Sequence, residues 1–405
     1  MQNPDYSKKG CKNHAYSFFF RILKKALLFC YILSKFLLTL LEKTITQHRK
    51  FGAFMKKNLF FYILLLFLIS CDNSSSNLEL PTAIPVAQVT EKQEPVILDY
   101  PILQDSAFFA NKLGSTNLKI IFRDDNENFL VLVKINGSAV HIDTLKMDFE
   151  PHAPQFSPDG SKLAYASETE GAANFSNLYV MDLETGATQQ LNVQSAGVPR
   201  WRVLENGDTA ILYIDYLGNN KSPLWESSKT YIVPFVNDSF GNPQELFARS
   251  YNGGLALDNS FIVTGSNKLL LHYSEWENDK YIDLYNDQQV CNVSLARDSS
   301  YIFSFLETSG DKGKDYIGQK FWWHRYLFYM NKFGDIVKAI KAPGDYVFNY
   351  TEWINISNFQ VSSIINNYTF ENKLAIIDYL NSEVYPILEG KKETQIWEPD
   401  IWVGR

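Results

Sequence analysis

The sequence predicts an all-β fold, a β-propeller of six four-stranded antiparallel blades, with seven blades as the alternative. The first reason is a strand-and-turn pattern that recurs along residues 96–405, with 49, 53, 51, 45 and 47 residues between its copies. The second reason is that its strands are apolar on both faces, as in sheets packed between other sheets. The reference positions for these intervals are Phe129, Leu178, Tyr231, Ile282, Leu327 and Leu374.

The clearest copy of the pattern is Pro154–Leu191. Leu163–Ala166 and Leu178–Met181 are short apolar runs that predict strands. The stretch Ser157–Gly160, with the sequence SPDG, predicts a tight turn in which the glycine takes positive φ. Each blade is therefore expected to contain such hairpins, even where a copy has lost its glycine.

A polar residue follows the reference strand at the same place in three copies. Asp182, Asn331 and Asp378 each lie four residues after their reference position. Because Asp and Asn side chains accept hydrogen bonds from the backbone of a following turn, these residues are predicted to cap hairpin turns.

The last stretch, Ile396–Val403, has the pattern of a single strand without the rest of a blade. A leftover strand of this kind completes the first blade in closed propellers, so that no long sheet edge is exposed. We therefore expect the two ends of the repeat region to meet in one sheet.

The Pro154–Leu191 copy resembles the PD40 repeat of TolB-like β-propellers in its SPDG turn, its strands and its DLETG hairpin. The resemblance implies a TolB-like propeller in the bacterial cell envelope. In that family, TolB contacts a peptidoglycan-associated lipoprotein and carries an α/β domain ahead of its blades. Here a short polar segment precedes the blades instead, so the resemblance implies the fold and the setting but not the same partners.

The segment Met55–Cys71, MKKNLFFYILLLFLISC, has a basic start, an apolar run and a small residue before cysteine. It resembles the lipobox of bacterial lipoproteins, which implies a signal peptide over residues 55–70, lipidation of Cys71 and attachment to a membrane. Residues 1–54 are then expected to be a mis-annotated upstream extension, with a basic membrane-surface helix as the alternative. Residues 71–95 are polar and predict a tether, and residues 96–405 form the propeller.

The charge balance of residues 71–405 is acidic, with 26 Lys and Arg against 43 Asp and Glu. This net charge of −17 argues against nucleic acid as a partner. The TolB-like resemblance implies an envelope protein as the partner, with a glycan as the alternative.

Catalytic and metal-binding motifs are not evident. His141, His152, His272 and His324 lie in separate repeats without zinc-type spacing. Arg123–Phe129 begins like a calcium loop but lacks the glycine and the closing glutamate. We therefore expect no enzymatic activity, no metal and no cofactor.

Three residues are candidates for a binding surface. Trp225 and Trp276 lie in polar loops, and His152 directly precedes the SPDG copy, where it could face the channel or bond a neighbouring blade. The aromatic stretch Lys320–Met330 is expected to be a strand with both faces packed.

Two functions follow from these observations. The first is a non-catalytic protein-binding module or scaffold, held at the envelope by its lipid. The alternative is a glycan-binding or polysaccharide-cleaving propeller, since some polysaccharide lyases resemble TolB-like propellers and use histidines and a metal at the channel. The histidines scattered over separate repeats favour the first.

Overall fold

The computed structural model describes residues 100–124, 129–169, 175–218, 224–225, 227–249, 253–275, 280–391 and 394–404. These residues form 25 strands and two short helices, arranged as a β-propeller of six antiparallel sheets. The predicted fold class and the count of six blades are confirmed. In the described part of the chain, no helix is long and apolar enough to cross a membrane.

The strands of the first three blades are named in order from the channel outward. Blade 1 contains β25 (Ile396–Val403), β1 (Asn117–Asp124), β2 (Phe129–Asn136) and β3 (Ala139–Lys146). Blade 2 contains β4 (His152–Phe156), β5 (Lys162–Ala166), β6 (Leu178–Asp182) and β7 (Thr188–Gln190). Blade 3 contains β8 (Gly197–Val203), β9 (Thr209–Ile214) and β10 (Lys229–Val236), and its outer position is shared by β11 (Ser239–Phe240) and β12 (Gln244–Ala248).

The other three blades follow the same order. Blade 4 contains β13 (Gly254–Leu255), β14 (Phe261–Thr264), β15 (Leu270–Tyr273) and β16 (Ile282–Asp283). Blade 5 contains β17 (Val290–Leu295), β18 (Phe303–Glu307), β19 (Tyr326–Met330) and β20 (Ile336–Lys341). Blade 6 contains β21 (Tyr346–Trp353), β22 (Phe359–Asn366), β23 (Asn372–Asp378) and β24 (Glu383–Glu389).

The ring closes through blade 1, as the final fragment predicts. Strand β25 pairs antiparallel with β1, with Ile401 opposite Ile120. A second closure covers the outer edge of blade 6, where Ile102 bridges to Leu388 of β24. Helix α1 (Ser106–Leu113) follows that bridge, and α2 (Asp311–Ile317) lies between β18 and β19.

The hydrophobic core is divided into six clusters, and each lies between two neighbouring blades. Between blades 4 and 5, for example, the ring centroid of Phe305 in blade 5 lies 5.1 Å from that of Tyr285, which follows the last strand of blade 4. Each blade therefore buries its two apolar faces against two different neighbours. This explains why the strands are apolar on both faces.

The predicted turns form as expected. Gly160 ends the SPDG turn with φ of +70°. Each of the three predicted caps accepts a hydrogen bond from a backbone amide in its turn: Asp182 from Thr185 at 2.8 Å, Asn331 from Phe333 at 2.9 Å and Asp378 from Asn381 at 3.0 Å.

Two sequence-based assignments are wrong. The repeat pattern predicts Ile282 in the third strand of its blade, but Ile282 lies in β16, the fourth strand of blade 4. The third strand is β15, a short run that the repeat pattern does not include. The strand expected over Lys320–Met330 begins only at Tyr326, and Trp322 in the preceding loop is 48% exposed. Helix α2 lies in the same connection between β18 and β19.

Gly160 offers a test of the contact between blade 2 and the closing strand. A Cβ atom at Gly160 would lie 2.4 Å from the indole ring of Trp402 in β25, whereas Gly137, also at positive φ, has nothing within 4 Å. Both Gly→Ala variants should suffer the left-handed strain of about 1–2 kcal/mol. Gly160→Ala should be less stable than Gly137→Ala by a further ~1–3 kcal/mol, because it also overpacks the closure. Urea denaturation measures both, and equal losses would contradict the described packing.

Candidate functional site

The inner strands of five blades place a polar residue at the same level of the central channel. Each of these residues pairs with the second strand of its own blade, and each lines a cavity of about 500 Å³. The five residues are Gln155, Arg200, Ser294, Glu352 and Asp400. The inner strand of blade 4 contributes Gly253 and Leu255 to the same cavity.

A backbone irregularity precedes four of these residues. Ala153, Val198, Asn292 and Glu398 each have φ between 48° and 52° and lie two positions before the channel residue of their strand. Each falls within a β-bulge of its inner strand. A bulge redirects the side chains that follow it, so the repeated bulge is what aims one polar residue per strand into the channel.

The channel residues also tie neighbouring blades together at three of the six interfaces. Asp400 accepts a hydrogen bond from the amide of Phe156 at 2.9 Å, and Gln155 accepts one from the amide of Trp201 at 2.7 Å. The indole N–H of Trp201 also donates a hydrogen bond to the backbone carbonyl of Gln155 at 3.0 Å. The indole N–H of Trp353 donates to the backbone carbonyl of Ser294 in the same way at 3.1 Å. Buried polar atoms are thus satisfied across the blade interfaces.

Two ion pairs join non-adjacent blades across the channel. Arg200 of blade 3 pairs with Glu352 of blade 6, which also accepts a hydrogen bond from Ser294 at 2.9 Å. Arg297, which follows β17, lies 3.3 Å from Asp400 of blade 1. Burial raises the pKa of both Glu352 and Asp400, although the arginines oppose this.

The cavity opens at the end of the channel where the first and second strands of each blade are connected. Its rim carries exposed apolar side chains, with Val203 55% and Leu257 45% exposed. A second cavity of about 420 Å³ continues outward between blades 2 and 3. The two cavities share four residues, which are Ser157, Pro158, Trp201 and Val203.

Of the predicted site residues that the structure describes, His152 and Trp225, neither lines this cavity. His152 lies at the start of β4, is 6% exposed and is not among the cavity-lining residues. Trp225 is half-buried, with its ring 5.9 Å from that of Tyr281, and Trp276 lies outside the described residues. Most of the calcium-like stretch, residues 125–128, also lies outside them. The roles of His152, Trp225 and Trp276 in binding stay predictions.

His152 instead contacts a neighbouring blade. Its Nδ1 lies 3.5 Å from Oε2 of Glu398 in blade 1, and its Nε2 lies 4.0 Å from Oε1 of Glu150. Burial alone would raise the pKa of Glu398, but His152 and Arg123 lower it to about 2. The geometry is that of an ionic contact between blades 1 and 2.

Sequence reasoning missed the charged floor of the cavity. Arg200, Arg297, Glu352 and Asp400 are isolated in the sequence and form no linear motif. A signal was nevertheless present, because Gln155, Arg200 and Glu352 each directly precede an aromatic residue at the same repeat position. Among the described residues, no group of three or more His, Cys, Asp or Glu is placed to hold a metal ion.

Comparisons with known proteins add the fold alone. No protein-family model and no curated protein matches the sequence. The chain is similar to a structure of a nidogen/laminin complex at 10% identity, over 70% of this chain and 98% of that chain, with a TM-score of 0.46.

Two further solved structures are similar. One is the β-propeller domain of the trilobed protease from Pyrococcus furiosus, at 16% identity over 67% of this chain and 81% of that chain, with a TM-score of 0.35. The other is an oligogalacturonate lyase in complex with manganese, at 12% identity over 66% and 71%, with a TM-score of 0.37. Likenesses this weak carry no argument about function.

The contact of Glu398 with His152 and Arg123 predicts a pH dependence of stability. The pKa of Glu398 is about 2 in the folded protein against an ordinary 4.5, so its stabilising effect is present above pH 4.5 and is lost as the pH falls toward 2. Glu398→Gln should therefore lower the urea midpoint clearly at pH 7 and much less at pH 3.

Glu205→Gln, at an exposed position in the turn after β8, is the matched control and should change the midpoint little at either pH. An equal loss for Glu398→Gln at both pH values would contradict the assigned contact.

Proposed function

We propose that this chain is an envelope lipoprotein, anchored through Cys71, whose propeller is a non-catalytic protein-binding module. The observation that carries the proposal is the form of the channel mouth. A cavity of about 500 Å³ has exposed apolar side chains at its rim, Val203 and Leu257, above a floor of paired charges. Exposed apolar side chains beside a concave surface are typical of sites that bind another protein.

The floor supports binding rather than catalysis. Glu352 is held by Arg200 and Ser294, and Asp400 is held by Arg297 and the amide of Phe156. A carboxylate that serves as a base or nucleophile must reach its substrate, whereas these two are engaged in contacts that hold blades together. The floor therefore acts as a rigid, charge-balanced base for a binding site.

The envelope setting rests on the Met55–Cys71 lipobox and on the PD40 resemblance. Residues 71–95 are proposed to be the polar tether between the lipid and the propeller.

A second candidate function is glycan binding, and a different surface favours it. Trp322 and Tyr368, from loops of blades 5 and 6, are 48% and 63% exposed. Their ring centroids lie 5.8 Å apart and their planes meet at 77°. Two perpendicular exposed rings form a corner against which the apolar face of a sugar could stack.

Photo-crosslinking tests the protein-binding proposal. A benzophenone amino acid at Val203 or Leu257 of the full-length protein should crosslink one discrete envelope protein in the native host. The matched control is Val140 on the outer strand of blade 1, which is also 45% exposed and should give no such product. Identical products from all three positions, or none from the channel mouth, would count against the proposal.

Affinity electrophoresis in gels that contain soluble polysaccharides tests the second candidate. If the aromatic corner binds glycan, the full-length protein is retarded, and Trp322→Ala or Tyr368→Ala restores its free mobility. Phe333→Ala, at a residue 75% exposed in another turn, should change nothing. Retardation that survives both corner substitutions would rule out this site.

A further inference from the structure

The channel mouth continues into a groove between blades 2 and 3. The cavity at the mouth and the outer cavity, about 500 and 420 Å³, join along Ser157, Pro158, Trp201 and Val203. Val203 is 55% exposed where they meet, and Leu257 lies across the mouth. The groove is therefore apolar at its inner end, and it leads outward between the turns of blades 2 and 3.

The outer half of the groove is acidic. Asp159, Asp208 and Asp238 line it, and Lys162 is the one basic residue among the lining residues of that cavity. Lys162 lies 3.0 Å from Asp182 and 2.5 Å from Asp238, so its charge is already matched by two carboxylates.

The carboxylates of the groove are available to a partner. The side chain of Asp238 is 67% exposed although it pairs with Lys162. Burial opposes ionisation of Asp159, but hydrogen bonds from Ser157 and Ser161 keep its pKa below the ordinary value. Glu205, at the edge of the mouth, adds a further exposed acid.

We infer that this groove binds an extended peptide segment of the partner in which Lys or Arg side chains neighbour an apolar one. The apolar side chain lies between Val203 and Leu257, and the basic side chains lie over Asp208 and Asp238. Charge complementarity selects this occupant, because the groove repels nucleic acid, anionic lipid and acidic peptides. The inference rests on the proposed protein-binding function and names the chemistry of its partner.

The experiment screens the full-length protein, in detergent, against an array of randomised decapeptides. Dissociation constants of the selected peptides are then measured by fluorescence anisotropy. Asp208→Asn/Asp238→Asn removes two groove charges and keeps residue shape. Asp287→Asn/Asp315→Asn is the matched control, because Asp287 is 70% exposed and pairs with Lys268 much as Asp238 pairs with Lys162. Val203→Gln replaces the apolar side chain at the mouth with a neutral polar one and leaves the charge of the groove unchanged.

The expected result is a set of peptides rich in Lys or Arg beside apolar residues. Their affinity should fall at least tenfold in Asp208→Asn/Asp238→Asn, stay within twofold in the control pair, and weaken as salt is raised. Peptides whose binding is lost in Val203→Gln but that lack basic residues, or that bind Asp208→Asn/Asp238→Asn equally well, would overturn this inference and leave the protein-binding function standing. Absence of any peptide whose binding is lost in Val203→Gln would overturn both.

Discussion

The burial of each blade against its two neighbours is the constraint on which the rest of the structure depends. None of the six core clusters lies within one blade, so an isolated blade would leave both apolar faces in water. The ring must close for the sixth interface to form, and pairing of β25 with β1 provides that closure. The bridge from Ile102 to β24 covers the neighbouring sheet edge.

Closure also shapes the channel. With the inner strands held side by side, five blades place a polar residue at one level of the channel, and in four of them a β-bulge directs that residue toward the axis. These residues hydrogen-bond the adjacent strand and pair with charges from non-adjacent blades. The floor of the candidate site is therefore part of the framework, whereas the rim, made of turn residues, is free to differ in chemistry without disturbing the ring.

This division bears on how a propeller of this type acquires a partner. The turns that connect first and second strands supply Asp159 and Asp208, and a third-to-fourth strand turn supplies Asp238. They surround Val203, the exposed apolar residue common to both cavities. Specificity can thus be set by a few exposed turn residues on a scaffold whose stability is decided elsewhere.

The sequence by itself determined the repeat, the turns and the closure, because these depend on local chemistry. Gly160 and Asp182 act on their own turns, and the fragment after Ile396 carries its own strand pattern. The tertiary structure alone decided which side chains meet. Arg200 and Glu352 are 152 positions apart and pair only because the ring brings their inner strands to one axis. Trp322 is likewise exposed in the connection that contains α2, although residue type and strand periodicity predict it in a packed strand.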